Sequence, residues 1–126
     1  MKRIAALVAA AAVAFSAAAA AGDRVPPFPR LPGSWSHAEI NVTIDGEPHT
    51  LILDRGRVVL AGPRNLALRE AGGVVVVVPL AQSTIVVVDG TPATIYDLRR
   101  RMRAVTMRID GGAAVRIRAR SQSFGR

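Results

Sequence analysis

Residues 37–54 read HAEINVTIDGEPHTLILD, and the architecture of the chain follows from this stretch. Apolar and polar side chains alternate along its first half, which is the two-residue period of a half-buried strand. Its centre holds Asp45-Gly46, a dipeptide that strongly favours a two-residue hairpin turn. Residues at equal distances from such a turn face each other, so we expect His37 opposite Asp54. The stretch therefore predicts an antiparallel hairpin.

Further short strands follow this hairpin, separated by Gly, Pro, Asn and Asp. We expect Arg55-Gly56 to end the second hairpin strand. The five valines of residues 74–78 should form a strand that is covered on both faces or that crosses the barrel interior. A single helical turn is predicted near Thr94, with Asp97 completing a capping box. The remaining strands are predicted at residues 57–61, 66–70, 84–88, 104–110 and 113–120.

Short strands with turn signals between them predict an all-β fold, a small antiparallel barrel or sandwich of about seven to eight strands. The connections are too short for the crossovers that parallel strands require. The chain is long enough for one domain and too short for two. We therefore expect one β-barrel domain over residues 35–120, followed by a flexible tail over residues 121–126.

The N-terminus has the three parts of a secretory signal. Lys2 and Arg3 are basic, an apolar run follows them, and small residues precede Gly22. We expect a signal helix over residues 1–21, cleaved before Gly22, and export to the periplasm or the exterior. The alternative is a retained membrane anchor, since residues 4–21 carry no charge and approach the length of a span. The many alanines disfavour an anchor because alanine partitions weakly into hydrocarbon.

The segment between the signal and the domain, residues 22–34, contains four prolines, which exclude regular helix and central strand. We expect an extended linker or arm that can be removed without loss of the folded core. The chain has no cysteine. This excludes a disulfide framework, a thiol nucleophile, thiolate metal ligands and lipid attachment at an N-terminal cysteine.

Basic charge is concentrated near the C-terminus. The chain has a net charge of +8, and residues 99–126 hold nine arginines and one acid. In the last predicted strand Arg116, Arg118 and Arg120 alternate with apolar residues, which places the three arginines on one face. Such a face predicts an anionic partner, although an arginine-rich composition also produces scattered surface charge. The candidate polyanion-binding residues are Arg99, Arg100, Arg101, Arg103, Arg108, Arg116, Arg118 and Arg120.

A series of structural motifs covers about half of the chain. They are Gly56-Arg57-Val58-Val59, Leu66-Ala67-Leu68, the valine strand, residues 84–88, Asp89-Gly90-Thr91-Pro92-Ala93, Tyr96-Asp97-Leu98 and Ala114-Val115-Arg116-Ile117. Over residues 56–120 their order resembles a family of uncharacterised exported bacterial domains. The resemblance implies an oligonucleotide-binding-like or similar small β-barrel without known catalytic residues. That family usually has a glycine three residues after the Asp-Leu pair, whereas this chain has Arg101.

The hairpin register also brings together a candidate metal site. His37 faces Asp54 across the two strands, and Glu39 lies on the same face as His37. One imidazole and two carboxylates are ligands that a divalent metal accepts. A histidine beside an aspartate is also common as a simple surface hydrogen bond. The sequence leaves both interpretations of His37, Glu39 and Asp54 open.

The sequence contains no nucleophile elbow and no phosphate loop, so we expect no enzyme activity and no cofactor. We interpret the chain as an exported, non-enzymatic protein-interaction or structural module of the cell envelope. One alternative is a module that binds nucleic acid, anionic glycans or the envelope surface through the C-terminal arginines. A second alternative is a metal or small-ligand carrier. The expected partner is an unknown protein or an anionic polymer, with no small-molecule substrate and only transient membrane contact through the signal.

Overall fold

The computed structural model describes the backbone of residues 7–15 and, with side chains, residues 25–122. The strands in these residues are β1 (Leu7–Phe15), β2 (His37–Ile44), β3 (Glu47–Ala61), β4 (Asn65–Arg69), β5 (Val75–Pro79), β6 (Ile85–Val88), β7 (Thr91–Ala93), β8 (Arg103–Ile109) and β9 (Ala114–Arg120). A single 3-10 helix, η1, spans Ile95–Asp97, and the described residues contain no α-helix. The predicted all-β class is therefore confirmed.

The structure describes part of the N-terminal segment, and the signal helix expected over residues 1–21 stays a prediction. Residues 7–15 form strand β1, which pairs in parallel with β2. An exposed edge strand carries unpaired N–H and C=O groups, and β1 supplies partners for those of β2. The predicted cleavage site before Gly22 lies outside the described residues, so cleavage and export stay predictions. Across residues 7–15 and 25–122, no helix has the length and apolar character that crossing a membrane requires.

The hairpin at the start of the domain forms as the sequence predicts. Asp45 and Gly46 have φ angles of 52° and 80°, the left-handed values of a two-residue hairpin turn. His37 pairs with Asp54, and Ala38 pairs with Leu53. The register predicted from the turn is therefore confirmed, and it brings His37 and Asp54 together.

Strand β3 runs without interruption for 15 residues, so the predicted break at Arg55-Gly56 is wrong. Its first part pairs with β2 and β8, whereas its last part, from Arg57 onward, pairs with β4. An added Cβ at Gly56 would lie 2.5 Å from the carbonyl oxygen of Arg69. Glycine thus lets β4 approach β3 closely, and it marks a change of partner strand instead of a turn.

All the strands belong to one sheet of order β1-β2-β3-β8-β9-β6-β7, and the β4–β5 hairpin branches from the end of β3. In the part of the chain that the structure describes, no pairing joins the two ends of this order, so the barrel is not closed. Strand β6 pairs with β9 in parallel, contrary to the prediction of antiparallel pairs alone. The chain passes through β7, η1 and β8 between them, which supplies the length that a parallel crossover needs.

The valine run forms an edge strand among the described strands, where β5 pairs with β4 and with no other strand. Val78 is completely buried, whereas Val77 is 60% exposed and Val75 is 45% exposed. The prediction that both faces of this strand are covered is therefore wrong. Alternation is invisible in a run of a single residue type, so the sequence does not show which valines face solvent.

Two apolar cores cover opposite faces of the sheet, since Ala104 and Met107, three residues apart on β8, belong to different cores. The first core contains Val58, Leu66, Leu68, Val78, Leu80, Val86, Ile95, Leu98, Met102, Ala104, Ala114, Ile117 and Ala119. The second contains Ala38, Ile40, Val42, Leu51, Leu53 and Met107. Both faces of the central strands are therefore partly buried.

The proline-rich arm packs against the second core. Val25 and Phe28 contact this core, and the Arg116 guanidinium donates hydrogen bonds of 3.0 Å to the carbonyl oxygens of Val25 and Pro26. Apolar burial and charge-assisted hydrogen bonds together hold the arm on the sheet. Residues 25–34 are therefore not a free linker in this structure. We now expect removal of the arm to destabilise the domain.

The short helix η1 begins with the predicted capping box. The Thr94 hydroxyl accepts a hydrogen bond from the backbone N–H of Tyr96, and the Asp97 carboxylate accepts one from the backbone N–H of Thr94 at 2.8 Å. In the turn that follows, Arg101 has a φ of 77°. The left-handed conformation costs a non-glycine residue about 1–2 kcal/mol.

Candidate anion-binding groove

Four arginines form a row across four adjacent strands, which we call the arginine row. Arg57 on β3 pairs with Arg69 on β4 and with Arg103 on β8, and Arg103 pairs with Arg120 on β9. Residues directly opposite in neighbouring strands point to the same face, with Cβ atoms about 4.5–5.5 Å apart. All four residues are exposed. The sheet therefore holds four guanidinium groups side by side on one face.

Two more arginines lie on the same face, one step along the strands. Arg55 lies two residues before the row on β3, and Arg118 lies two residues before it on β9. The Arg55 guanidinium lies 4.4 Å from the ring centroid of Trp35 and donates to the Trp35 carbonyl oxygen at 2.9 Å. The Arg118 guanidinium lies 4.9 Å from the ring centroid of Phe28. These contacts hold both guanidinium groups in position.

All six arginines line one open groove of roughly 1290 Å³. Strands β3, β4, β8 and β9 supply most of the residues that line this arginine groove, and Trp35 lines it as well. Guanidinium groups present parallel N–H donors that match the oxygen pairs of phosphate, sulfate and carboxylate groups. The groove therefore has the composition of a site for an anionic ligand.

Two carboxylates also line the groove, beside the six arginines. Asp89 accepts hydrogen bonds from the Ser121 hydroxyl at 2.6 Å and the Ser121 backbone N–H at 2.8 Å. These bonds, with the charge of Arg120, lower the pKa of Asp89 below its usual 3.8. The second carboxylate, Glu70, is buried at the end of β4.

The arginine row is electrostatically unfavourable by itself. Like charges directly opposite in neighbouring strands destabilise a sheet, by an amount on the order of 0.2–1 kcal/mol for each pair. Three such pairs occur in succession, from Arg69 to Arg57, then to Arg103, and then to Arg120. An anion bound along the row would replace this repulsion by attraction.

Three of the eight arginines predicted from the sequence line the groove, namely Arg103, Arg118 and Arg120. The other groove arginines, Arg55, Arg57 and Arg69, are missed by sequence reasoning. The sequence analysis ends a strand at Arg55-Gly56. It therefore does not place these three arginines on strands that pair with each other and with β8. A continuous β3, with Arg55 and Arg57 two residues apart on one face, is the signal that would find them.

The five remaining arginines lie outside the groove lining. Arg116 binds the carbonyl oxygens of the arm. Arg108 donates to the carbonyl oxygens of Gly112 at 2.8 Å and Gly111 at 2.6 Å, in the turn between β8 and β9. The other three, Arg99, Arg100 and Arg101, are exposed in the turn after η1.

His37 contacts both carboxylates that its place in the hairpin predicts. Its Nδ1 is 2.7 Å from Asp54 Oδ1, and its Nε2 is 3.1 Å from Glu39 Oε2. Burial opposes protonation of the ring, but these hydrogen bonds outweigh burial and raise the pKa of His37 above its usual 6.5. A third carboxylate, from Glu70, approaches the same place: one ligand atom each of His37, Asp54 and Glu70 lies within 4.8 Å of the others. Sequence reasoning misses Glu70 because hairpin register gives no link between β2 and the end of β4.

His49 makes a smaller contact elsewhere on the sheet. It pairs with Val42, and its Nδ1 lies 2.6 Å from Asp110 Oδ2. Asp110 also accepts a hydrogen bond of 2.8 Å from the backbone N–H of Thr50. The bonds to His49 and Thr50 lower the pKa of Asp110 below its usual 3.8. This histidine therefore has one carboxylate beside it, whereas His37 has three nearby.

No family model, curated protein or solved structure matches this chain. The resemblance over residues 56–120 therefore stays an expectation, and the interpretation of the groove depends on its geometry. That geometry consists of six arginines and two carboxylates that line one open groove, with four of the arginines directly opposite one another on neighbouring strands. An extended anion is the class of ligand that this arrangement is suited to bind.

Proposed function

We propose that this chain is an exported, non-enzymatic module that binds anionic polymers in its arginine groove. One observation supports this proposal above the others: the arginine row sets like charges directly opposite each other on four neighbouring strands. Such a row lowers the stability of the unliganded sheet. Anion binding gives a reason for a fold to keep these residues together.

The length of the row favours a polymer over a small anion. Four adjacent strands cover three inter-strand spacings of about 4.8 Å, or roughly 14 Å in total. A single phosphate or sulfate would contact one or two of the four guanidinium groups. A polymer with regularly spaced charges would contact all of them at once.

The groove is suited to charged groups and poorly suited to bases. Base recognition in single-stranded nucleic acid uses exposed aromatic rings as stacking platforms. The two rings beside the groove, Trp35 and Phe28, are instead stacked by Arg55 and Arg118. We therefore expect recognition of phosphate, sulfate or carboxylate groups without dependence on base sequence.

The proposal is tested with two double variants that remove the same charge. Arg57→Gln/Arg103→Gln removes the centre of the arginine row, and Arg99→Gln/Arg100→Gln removes two exposed arginines outside the groove. Binding to heparin and to a random-sequence DNA duplex is measured for both. Charge-assisted hydrogen bonds contribute about 1.5–3 kcal/mol each, so we expect the groove variant to lose tenfold affinity or more.

The control variant should lose only the weak, long-range contribution of its two charges, a factor of about two to three at physiological salt. Equal losses in both variants would mean that net charge, and not the groove, determines binding. That result would contradict the proposal. Binding to heparin but not to DNA would restrict the ligand to anionic glycans and leave the groove assignment intact.

A second candidate function, a protein-interaction module, is supported by the free edge of β5. Val75, Val77 and Leu60 are large apolar residues that are 45%, 60% and 58% exposed. An exposed apolar edge strand is a surface on which another chain can add a strand. The arginine groove is the more specific feature, because scattered exposed apolar residues are common on soluble proteins.

A further inference from the structure

Three possible metal ligands converge from three separate segments of the chain. His37 begins β2, Asp54 lies in the middle of β3, and Glu70 follows β4. One ligand atom from each residue lies within 4.8 Å of the other two. No two of these residues are close in sequence, so the fold itself brings them together.

The two carboxylates of this cluster are both buried. Asp54 is 2% exposed and Glu70 is 8% exposed. Two ionised carboxylates this close repel each other, and burial increases the cost of both charges. One divalent cation between the two carboxylates would offset this repulsion.

A glycine makes the approach of Glu70 to Asp54 possible. A Cβ at Gly56 would lie 2.5 Å from the carbonyl oxygen of Arg69 and 3.3 Å from the Cα of Glu70. Any larger residue would therefore push the end of β4 away from β3, and Glu70 away from Asp54. The positions of the three ligands therefore depend on a close backbone contact between β3 and the end of β4.

We propose that His37, Asp54 and Glu70 bind a divalent transition metal, with Zn²⁺ or Mn²⁺ as the matching ions. One imidazole and two carboxylates are a donor set that these ions accept, and the chain has no cysteine to favour a thiolate site. The metal takes the place of the proton between His37 Nδ1 and Asp54 Oδ1, which are 2.7 Å apart here. Small side-chain movements then open the space that the ion occupies.

Glu39 is a positioning residue in this site. It lies 3.1 Å from His37 Nε2, the ring nitrogen that faces away from Asp54. Histidine ligands commonly donate their second ring N–H to a carboxylate, which fixes the ring orientation and increases its basicity as a ligand. Three protein ligands leave a coordination position open. Glu70 also lines the arginine groove, so an anionic group in the groove is the natural occupant of that position.

The metal site is tested by calorimetric titration of the full exported chain after treatment with a chelator, with Zn²⁺ and Mn²⁺ alone as probes. We expect saturable binding of one ion per chain and a higher melting temperature with the ion present. His37→Gln and Glu70→Gln should each weaken binding at least tenfold. Glu39→Gln should weaken it about tenfold, as expected for a residue that orients a ligand.

The matched control is His49→Gln, because His49 also lies beside a carboxylate, 2.6 Å from Asp110 Oδ2, but belongs to no group of three possible metal ligands within residues 25–122. It should bind the metal as wild type does. Absence of saturable binding in wild type, or equal weakening in His49→Gln and His37→Gln, would overturn the proposal. Circular dichroism checks that each variant folds. If either His37→Gln or Glu70→Gln does not fold, the metal affinity of the other variant decides the result.

Failure of the metal site can be distinguished from failure of the proposed function. Heparin and DNA binding are measured with chelator present, and metal binding is measured without any polyanion. If polyanion binding is absent and metal binding is present, the proposed function fails and the metal site stands. If metal binding is absent and polyanion binding is present, the metal site fails and the proposed function stands.

Discussion

Arg57 and Arg103 lie directly opposite each other on β3 and β8, and each has another arginine on its other side. Backbone pairing fixes the separation of these residues, so their charges cannot move apart without disruption of the sheet. The side chains can diverge toward solvent, which weakens the repulsion but does not remove it. The arginine row therefore lowers the stability of the free protein, and under our proposal it raises the affinity for an anion.

Arg57→Gln should stabilise the unliganded protein, because it removes the arginine that faces two others. We expect a gain of about 0.5 kcal/mol in the free energy of unfolding, measured by urea denaturation at low salt. The gain should decrease at high salt, since exposed charges are screened. Arg64→Gln, in the turn between β3 and β4, is the control and should change stability by less. A destabilised Arg57→Gln protein would show that the row is not repulsive.

Arg101→Gly should stabilise the domain by about 0.5–1 kcal/mol, because Arg101 has a φ of 77°. The backbone is held in this conformation by hydrogen bonds of 2.8 Å, from Arg101 N–H to Val58 O and from Val58 N–H to Met102 O. Glycine adopts the left-handed region without steric cost, although it loses more entropy on folding. Arg100→Gly, which lacks a positive φ, should destabilise instead. Thermal unfolding of the two glycine variants tests this prediction. Equal changes in their melting temperatures would mean that the positive φ of Arg101 does not determine its effect on stability.

The β5 valines should differ sharply in their tolerance of charge. Val78→Asp should prevent folding, because an unpaired buried charge costs several kcal/mol against a total stability of about 5–15 kcal/mol. Val77→Asp should fold, because Val77 is 60% exposed. It should also reduce self-association at high concentration by placing a charge beside an open strand edge. Circular dichroism and light scattering measure the two outcomes, and equal loss of folding in both would mean that β5 is covered on both sides.

Asp110 should contribute stability that is lost in acid. Its folded pKa lies below 3.8 because of hydrogen bonds from His49 and Thr50, so the contribution is fully present above pH 3.8. It disappears as the pH falls from 3.8 through the folded pKa, since the folded state then binds the proton that the unfolded state already holds. Asp110→Asn should therefore reduce the pH dependence of the melting temperature in this range. An unchanged acid profile in the variant would contradict the assigned hydrogen bonds.

Local chemistry predicted the parts of the fold that depend on a few adjacent residues. Asp45-Gly46 fixes a two-residue turn, and the turn fixes the register that brings His37 opposite Asp54. The capping box of η1 likewise depends on Thr94 and Asp97 alone. In both cases the decisive interactions span few residues, so no knowledge of distant strands is needed.

Features that depend on distant strands were not predictable in this way. In the sequence, Gly56 looks like a strand break. In the fold, its missing side chain leaves room for the backbone of Arg69 in β4. The parallel pairing of β6 with β9 depends on how the intervening chain packs. The groove was found only in part for the same reason, because Arg57 and Arg103 become neighbours only when β3 continues past Gly56.

The most direct test of the account is the salt dependence of binding to a random-sequence DNA duplex. For wild type we predict that the logarithm of affinity falls linearly with the logarithm of salt concentration, with a slope of about −0.9 for each phosphate contacted. The slope should become less negative by about two units in Arg57→Gln/Arg103→Gln and remain close to wild type in Arg99→Gln/Arg100→Gln. Absence of binding by wild type at low salt, or the same slope in all three proteins, would contradict the assignment of the arginine groove as a polyanion site.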